Sequence, residues 1–592
     1  MRLNRLWIVL LLSLLGPACA KQQAYRPVPL PPVRHVVLIS IDSLRPDHLG
    51  VYGYPRPTSP RLDAFAQDAI RFDRVYSSAN WTLPAHAGLL TGRMSSAHGA
   101  ILLGSVVRAE MPFVSESLQA NGFATAAFTT HSFLSQTHGM SRGFDTFDYE
   151  QESPAPKVTG KAIDWLNRQP AEKPTFLFLH YFDVHYPYGR PDAPVEQFAK
   201  PDCRGPVNVG QLLTAGLQQD WKKFECYKDL YDSGIALVDR ELGRLFDAMK
   251  QSGRYDDTLI VVTADHGELL GKGEGATHGI SMQEAEIRVP LLLKWPRSAG
   301  RNTTVAQVVN TIQLPATILE AVGLNSFPTD LPSLQPLLAG KPGVSWVGCE
   351  TGNMGYQEIA IIRGDDKLIL PPPYRIIDMK MTPKLVNIKK GETIDLWTKN
   401  PEVVADLLAL AEKSGWYGRG TAYEIDYSLT KSARPLFLHA ELPPGAKVVQ
   451  VRPINRQFEL SGGRLVQVPE AFKQQADGID IRLDPTKKGE GFLIIVEKPD
   501  PALRFDVEGN ENRGAVKLLA GPDREAWSDS PFEFEAFEDR WQPAEPPAGD
   551  YVWIRAYPVL HLNRPGAGLS TEAAVMTPEQ QRVLRSLGYL SM

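Results

Sequence analysis

Short uninterrupted runs of apolar, mostly β-branched residues recur along the first half of the chain, separated by stretches with helical spacing. Val36 to Ile41 is the first and closes on Asp42; Phe176 to His180, Leu259 to Ala264 and Val289 to Leu293 follow. Runs of this length without polar alternation predict strands buried on both faces. Ser59-Pro60 reads as an N-cap followed by proline at the first helical position, with Leu62, Phe65, Ala66, Ala69 and Ile70 recurring behind it. Ile235, Val238, Leu242, Leu245, Phe246 and Met249 form one helical stripe directly ahead of the Leu259 run. Strands alternating with amphipathic helices predict an α/β sandwich around a mostly parallel central sheet.

Past about residue 420 the texture changes. Ile479 to Leu483 alternates at period two, Gly491 to Val496 is a further strand-like run, and Gly/Pro turns separate such segments. This predicts an appended β-rich module over 421–570. Thr577-Pro578-Glu579-Gln580 is a capping box with proline at the first helical position, and predicts a closing helix within 571–592.

At the other end, Met1 to Arg5 is positively charged, Leu6 to Leu15 is apolar but for Ser13, and Gly16 to Ala20 is a small-residue exit. That is the pattern of a secretory signal peptide over 1–20, too short to span a bilayer as an ordinary helix. Cys19 fits the lipidated first residue of a mature bacterial lipoprotein, and cleavage after Ala20 is the competing reading. Residues 21–34 are a Pro-rich tether, leaving 35–420 for the catalytic domain. The expectation is an exported protein, periplasmic or membrane-anchored. In an oxidising compartment Cys203 and Cys226 can pair around a Gly/Pro-containing loop, three free thiols being the alternative.

Composition narrows the partners. Of 592 residues, 43% are hydrophobic and 22% charged, which suits a folded globular chain. The 63 basic and 68 acidic residues leave a net charge of −5, so no basic field exists to hold nucleic acid. Ten of the twelve histidines precede residue 280, which places any imidazole chemistry in the first half.

Asp42 stands at the carboxyl end of the first predicted strand, and Asp265-His266 at that of the Leu259 run. Ligands bind at this edge of open α/β sheets, and such oxygen and nitrogen donors suit a divalent cation. In Thr82-Leu-Pro-Ala-His86-Ala-Gly-Leu-Leu-Thr-Gly-Arg93, Pro84 suits the first position of a short helix, which puts Thr82 just outside its N-terminus. Helix dipole and free amides there stabilise a nucleophilic alkoxide or an anionic substrate; the plainer alternative for Thr82 is an N-cap hydroxyl.

These segments, with Val37-Leu-Ile-Ser-Ile-Asp42-Ser-Leu-Arg-Pro-Asp at the start and Ala264-Asp-His-Gly-Glu268 later, resemble the sulfatase family of the alkaline phosphatase superfamily. The stretch Phe176 to Tyr188, the segment Glu286 to Pro290 and the closing Leu584-Arg-Ser-Leu-Gly-Tyr589 are similar as well. The resemblance implies an alkaline-phosphatase-like fold, a metal held by Asp42, Asp265 and His266, and a nucleophile at Thr82. It puts His98, His185 and His278 near the substrate; with His86 they would bind its oxygens, assist the leaving group or hold a second metal, and Arg93 is counted with the catalytic residues, orienting the Thr82 loop being the alternative.

The pattern also departs from the family. The nucleophile position of sulfatases holds a Cys or Ser that is oxidised to formylglycine, and threonine does not undergo that conversion. Ser43 replaces the second leading aspartate and His86 the usual arginine, which shifts the preferred cation from calcium toward zinc or manganese. Related phosphodiesterases and phosphoethanolamine transferases resemble this chain in using a metal-activated threonine. The expectation is therefore a metal-dependent hydrolase of anionic esters, phosphoester favoured. Transfer of a phosphoethanolamine-type group to an envelope lipid or glycan, formylglycine-independent sulfuric ester hydrolysis, and a non-catalytic envelope binding protein are the alternatives.

Overall fold

In the computed structural model the described residues begin at position 30. They run to 562 with interruptions, 352–357 and 371–383 among them and more between 393 and 548. The predicted signal peptide, Cys19, most of the tether, the closing helix and the Leu584 to Tyr589 motif lie outside the described residues.

The apolar runs become strands of one eight-stranded sheet: β1 (His35–Ile41), β2 (Ile70–Tyr76), β3 (Ala124–Thr129), β4 (Thr146–Tyr149), β5 (Thr175–Tyr181), β6 (Thr258–Ala264), β9 (Arg288–Lys294) and β10 (Thr303–Asn310). A small hairpin, β7 (Leu269–Gly271) and β8 (Gly275–Thr277), is set between β6 and β9. The sheet order is β10-β2-β9-β6-β1-β5-β3-β4. All its pairings are parallel except those of β9, which runs antiparallel to both β2 and β6. The predicted mostly parallel sheet is thus the one the chain builds. β1, β5 and β6 are buried at every position, as their unalternating sequences require.

Helices cover the sheet. The stripe predicted between Ile235 and Met249 is buried within one long helix, Trp221–Gln251, where Phe246 stacks on Phe65 of α1 (Pro60–Ala66) at 4.5 Å between ring centroids. Each such fully buried side chain contributes roughly 1.5–3 kcal/mol. Ser59 precedes α1 as expected, but its hydroxyl donates to Asp63 rather than capping the helix amides. Asp239 of the long helix does that instead, accepting from Arg61 N at 2.9 Å and Leu62 N at 2.7 Å. A carboxylate delivered by packing displaces the local hydroxyl because it satisfies two orphan donors at once. The Cys203 and Cys226 sulfurs are joined as a disulfide, and Cys349 is a buried free thiol.

Beyond the main sheet, strands Val347–Thr351, Glu358–Arg363, Asp366–Leu370 and Lys384–Asn387 make a four-stranded antiparallel sheet that the sequence reading did not foresee. Its apolar face shares a core with Tyr76, Met94, Met282 and Ile287. From Tyr417 onward a six-stranded and a five-stranded sheet follow. Tyr423, Ile425, Leu438, Ile481, Ile494, Phe505 and Ile554 of these strands share a separate core, as a β-sandwich requires. No described helix is long and apolar enough to cross a membrane.

Candidate active site and metal centre

Three strands deliver the site. Ile41 is level with both Tyr181 of β5 and Ala264 of β6, so Asp42 and Asp265 leave the sheet at the same height on neighbouring strands. Ser40 and His180 are paired one position earlier, and Asp42 lies two positions beyond Ser40. Strand side chains alternate faces at period two, so Ser40, His180, Asp42 and Asp265 project from one face of the sheet.

The helix packed on that face is α2 (Thr82–Thr91), buried throughout. It begins two residues earlier than the sequence suggested: Trp81 is the extended N-cap, Thr82 the first helical residue and Pro84 the third. Proline is tolerated there because the first-turn amides have no intrahelical partner. Thr82 therefore sits in the first turn itself, among the free amides. His86, one turn on, shares its face, and its Nδ1 lies 2.9 Å from Thr82 O while its Nε2 lies 2.9 Å from Ser40 Oγ.

The centre is dense with acceptors. Thr82 Oγ is 3.3 Å from His266 Nε2, which in turn is 3.3 Å from Asp265 Oδ2 and 3.6 Å from Asp42 Oδ1. His266 Nδ1 donates to Gly267 O at 2.8 Å, which leaves the Nε2 lone pair facing the carboxylates. Ser43, at φ 60°, donates from its amide to Asp265 Oδ1 at 3.1 Å and from its hydroxyl to Asp42 Oδ1 at 3.0 Å. The residue that replaces the second leading aspartate thus ties the other two together. The Tyr231 hydroxyl, donating to Ser43 O, braces this left-handed turn.

Asp42 Oδ2, Asp265 Oδ2 and His180 Nε2 are buried with no hydrogen-bond partner. Two buried carboxylates in one pocket are costly unless a cation compensates them. The donor atoms of Asp42, Asp265 and His266 lie within 4.8 Å of one another, as do those of His86, His180 and Asp265. The donor set fits a divalent cation, and its imidazoles favour a transition metal over calcium. Burial pushes the Asp42 carboxyl up to about 6, with His266 pulling it back. Burial also holds His86 down at about 3 and His180 and His278 at about 4, so these imidazoles are uncharged at neutral pH.

Of the residues singled out in the sequence, Thr82, His86, Asp42, Asp265 and His266 meet here. His278, just past β8, lies against His266 at 4.3 Å between ring centroids and holds Nδ1 3.2 Å from Glu268 Oε2. His185 follows at 4.9 Å from His278. Arg93 does not join them: it is at the far end of α2, roughly 15 Å along the axis. Its guanidinium pairs with Asp330 at 3.0 Å and donates to Pro328 O, so the catalytic role expected for it is corrected to anchoring the helix exit. His98 is buried at the end of α3 (Ser95–His98), where its Nδ1 accepts from Ala100 N. The sequence reading missed His180, Ser40, Thr130 and Glu268. His180 closes a predicted strand on the ligand-binding edge, which was its available signal; Ser40 and Thr130 carried none.

Among solved structures, a phosphonate monoester hydrolase of Agrobacterium radiobacter superposes with a TM-score of 0.54 at 20% identity, covering 65% of this chain and 94% of the other. A second, solved with D-glucosamine-2-N,6-O-disulfate bound, gives 0.54 at 19% identity over 64% and 98%. These likenesses show the fold that the chain shares with both proteins. Residues 34–324 match the family model described as Sulfatase. Curated relatives include an ulvan-active sulfatase of Formosa agariphila, 24% identical over 48% of this chain, and human arylsulfatase A, 25% identical over 52%. The alignments span 61% and 68% of those proteins' own lengths.

Proposed function

We propose that this chain is an exported, metal-dependent hydrolase of anionic esters that prefers phosphoesters to sulfate esters and uses Thr82 as its nucleophile. The observation that carries the reading is Thr82 Oγ in the first turn of α2, 3.3 Å from His266 Nε2, which itself faces the Asp42 and Asp265 carboxylates. A zinc or manganese ion held by Asp42, Asp265 and His266 would supply Lewis acidity, lowering the hydroxyl pKa and offsetting charge on the non-bridging oxygens.

The protein groups do the remainder. The free amides of the first turn of α2 stabilise negative charge on Thr82 Oγ. In-line attack forms the Thr82 Oγ–phosphorus bond as the bond to the leaving alcohol breaks. His278, held through Nδ1 by Glu268, and His185 beside it stand where substrate oxygens would be bound. Water then attacks phosphorus and releases phosphate with the Thr82 carbon–oxygen bond intact. Sulfate ester hydrolysis by the formylglycine route instead requires an aldehyde that threonine does not provide.

Steady-state rates of native protein and Thr82→Ala on a phosphate monoester, a phosphate diester, a phosphonate monoester and an aryl sulfate test this. Native protein should favour a phosphorus ester, and Thr82→Ala should lose at least about three orders of magnitude. Faster turnover of the aryl sulfate, or a Thr82→Ala rate within tenfold of native, overturns the mechanism. An acceptor alcohol that captures the phosphoryl group in place of water identifies a transferase acting on an envelope lipid or glycan. The charged start, apolar run and small-residue exit before Cys19 support export with a lipid anchor.

A further inference from the structure

Beside the donors already assigned, two further imidazoles face the same carboxylate pair: His86 Nδ1 faces Asp265 Oδ2, which His266 also faces, and His180 Nε2 faces Asp42 Oδ2. We propose that His86, His180 and Asp265 form a second divalent-cation site, of zinc or manganese type, sharing Asp265 with the first. The inference rests on the reading of this cluster as a metal centre.

His180 carries the argument. Thr130 Oγ donates to His180 O at 3.2 Å and so presents a lone pair to Nδ1–H at 2.7 Å. The Nε2 lone pair is then directed into the cluster, fully buried and without a hydrogen-bond partner. It faces Asp42 Oδ2 at 3.3 Å, an oxygen that is also buried and unpartnered. A lone pair against a carboxylate oxygen in a dry site is repulsive, and a cation bound at His180 Nε2 relieves that repulsion.

His86 supplies the second nitrogen. Its Nδ1 is 3.4 Å from Asp265 Oδ2, while Ser40 Oγ at 2.9 Å can accept a proton from Nε2. Moving one ring proton from Nδ1 to Nε2 gives up the Nδ1–H hydrogen bond to Thr82 O at 2.9 Å and turns the Nδ1 lone pair toward Asp265 with no change in net protonation. The three donor atoms lie within 4.8 Å of one another, a spread that bonds of about 2.0–2.2 Å to a common ion can close with small side-chain shifts. Two nitrogens and one carboxylate oxygen select a transition ion over calcium or magnesium. Thr130 and Ser40 act as the outer partners that orient metal-binding imidazoles.

The test is metal stoichiometry on the full chain, stripped with chelator and reloaded with Mn²⁺. Two ions per chain and an exchange-coupled electron paramagnetic resonance spectrum are expected. His180→Ala should retain one ion and give the spectrum of isolated Mn²⁺. Thr130→Val, which keeps the ring and removes its outer partner, should weaken the second ion by about tenfold or more while sparing the first. A single ion in native protein, or two ions of unchanged affinity in His180→Ala, overturns the second site. Should His180→Ala fail to fold, unchanged affinities in Thr130→Val do so. One ion with Thr82-dependent turnover sinks only this inference, whereas two ions with Thr82-independent turnover sinks only the nucleophile assignment.

Discussion

His266 Nε2 lies 3.3 Å from Thr82 Oγ although 184 positions separate the two residues. The contact exists because β6 ends where α2 begins, over the same edge of the sheet, and both chemical partners sit at element ends. His266 is held by Gly267 O, Thr82 by the start of a buried helix. Neither can move without disturbing backbone that the core has already fixed.

Thr82→Ser keeps the hydroxyl and removes only the methyl that restricts its rotamers. Its turnover on the best phosphorus ester should fall by no more than about two orders of magnitude, against at least three for Thr82→Ala. Steady-state kinetics of the two variants side by side will show whether the hydroxyl or the side-chain shape matters.

Asp265→Ala should release bound metal and lower turnover by at least about a hundredfold while the fold persists. Asp265 accepts from Ser43 N and His266 N, so both loops loosen locally. Metal analysis together with circular dichroism checks the pair of outcomes, and full metal occupancy would remove Asp265 from the site.

Gly267→Ala probes the support of His266. A Cβ at this position would stand 2.0 Å from Ala285 O and 3.2 Å from the Arg45 side chain. Backbone cannot give way as a flexible side chain can, so stability should fall by about 1–3 kcal/mol. Denaturant titration measures the loss, and weakened metal binding should accompany it because Gly267 O holds the His266 ring.

Stability should fall on acidification below about pH 6.5. His138 is buried outside the cluster and donates through Nδ1 to Ser105 O; burial lowers its pKa from 6.5 to about 4. Between those values the unfolded chain binds a proton that the folded chain does not, so its contribution is complete above 6.5 and is lost as pH falls toward 4. One such group gives a slope of about 1.4 kcal/mol per pH unit. Unfolding free energies measured at several pH values should show it, with a shallower slope in His138→Gln.

Cys19→Ser should convert membrane-associated protein into soluble protein if acyl chains are the anchor. Fractionation of cells expressing the two forms decides this, and unchanged membrane association would defeat the lipoprotein reading.

The chain by itself determined the parallel sheet and much of the centre. Uninterrupted apolar runs are unambiguous when strands are buried on both faces, and Asp42 and Asp265 were legible because each directly follows such a run. Thr82 and His86 were legible through the helix between Trp81 and Gly92. Tertiary structure alone decided what depends on strand order and packing. Ser40 and His180 join the site because β5 neighbours β1, a register no local pattern encodes. Asp239 caps α1 across 177 positions and outcompetes Ser59 next door. Arg93 leaves the site because it occupies the opposite end of the helix that carries Thr82, where Asp330 takes its charge. Periodicity reports which face of an element is buried; only packing reports what that face meets.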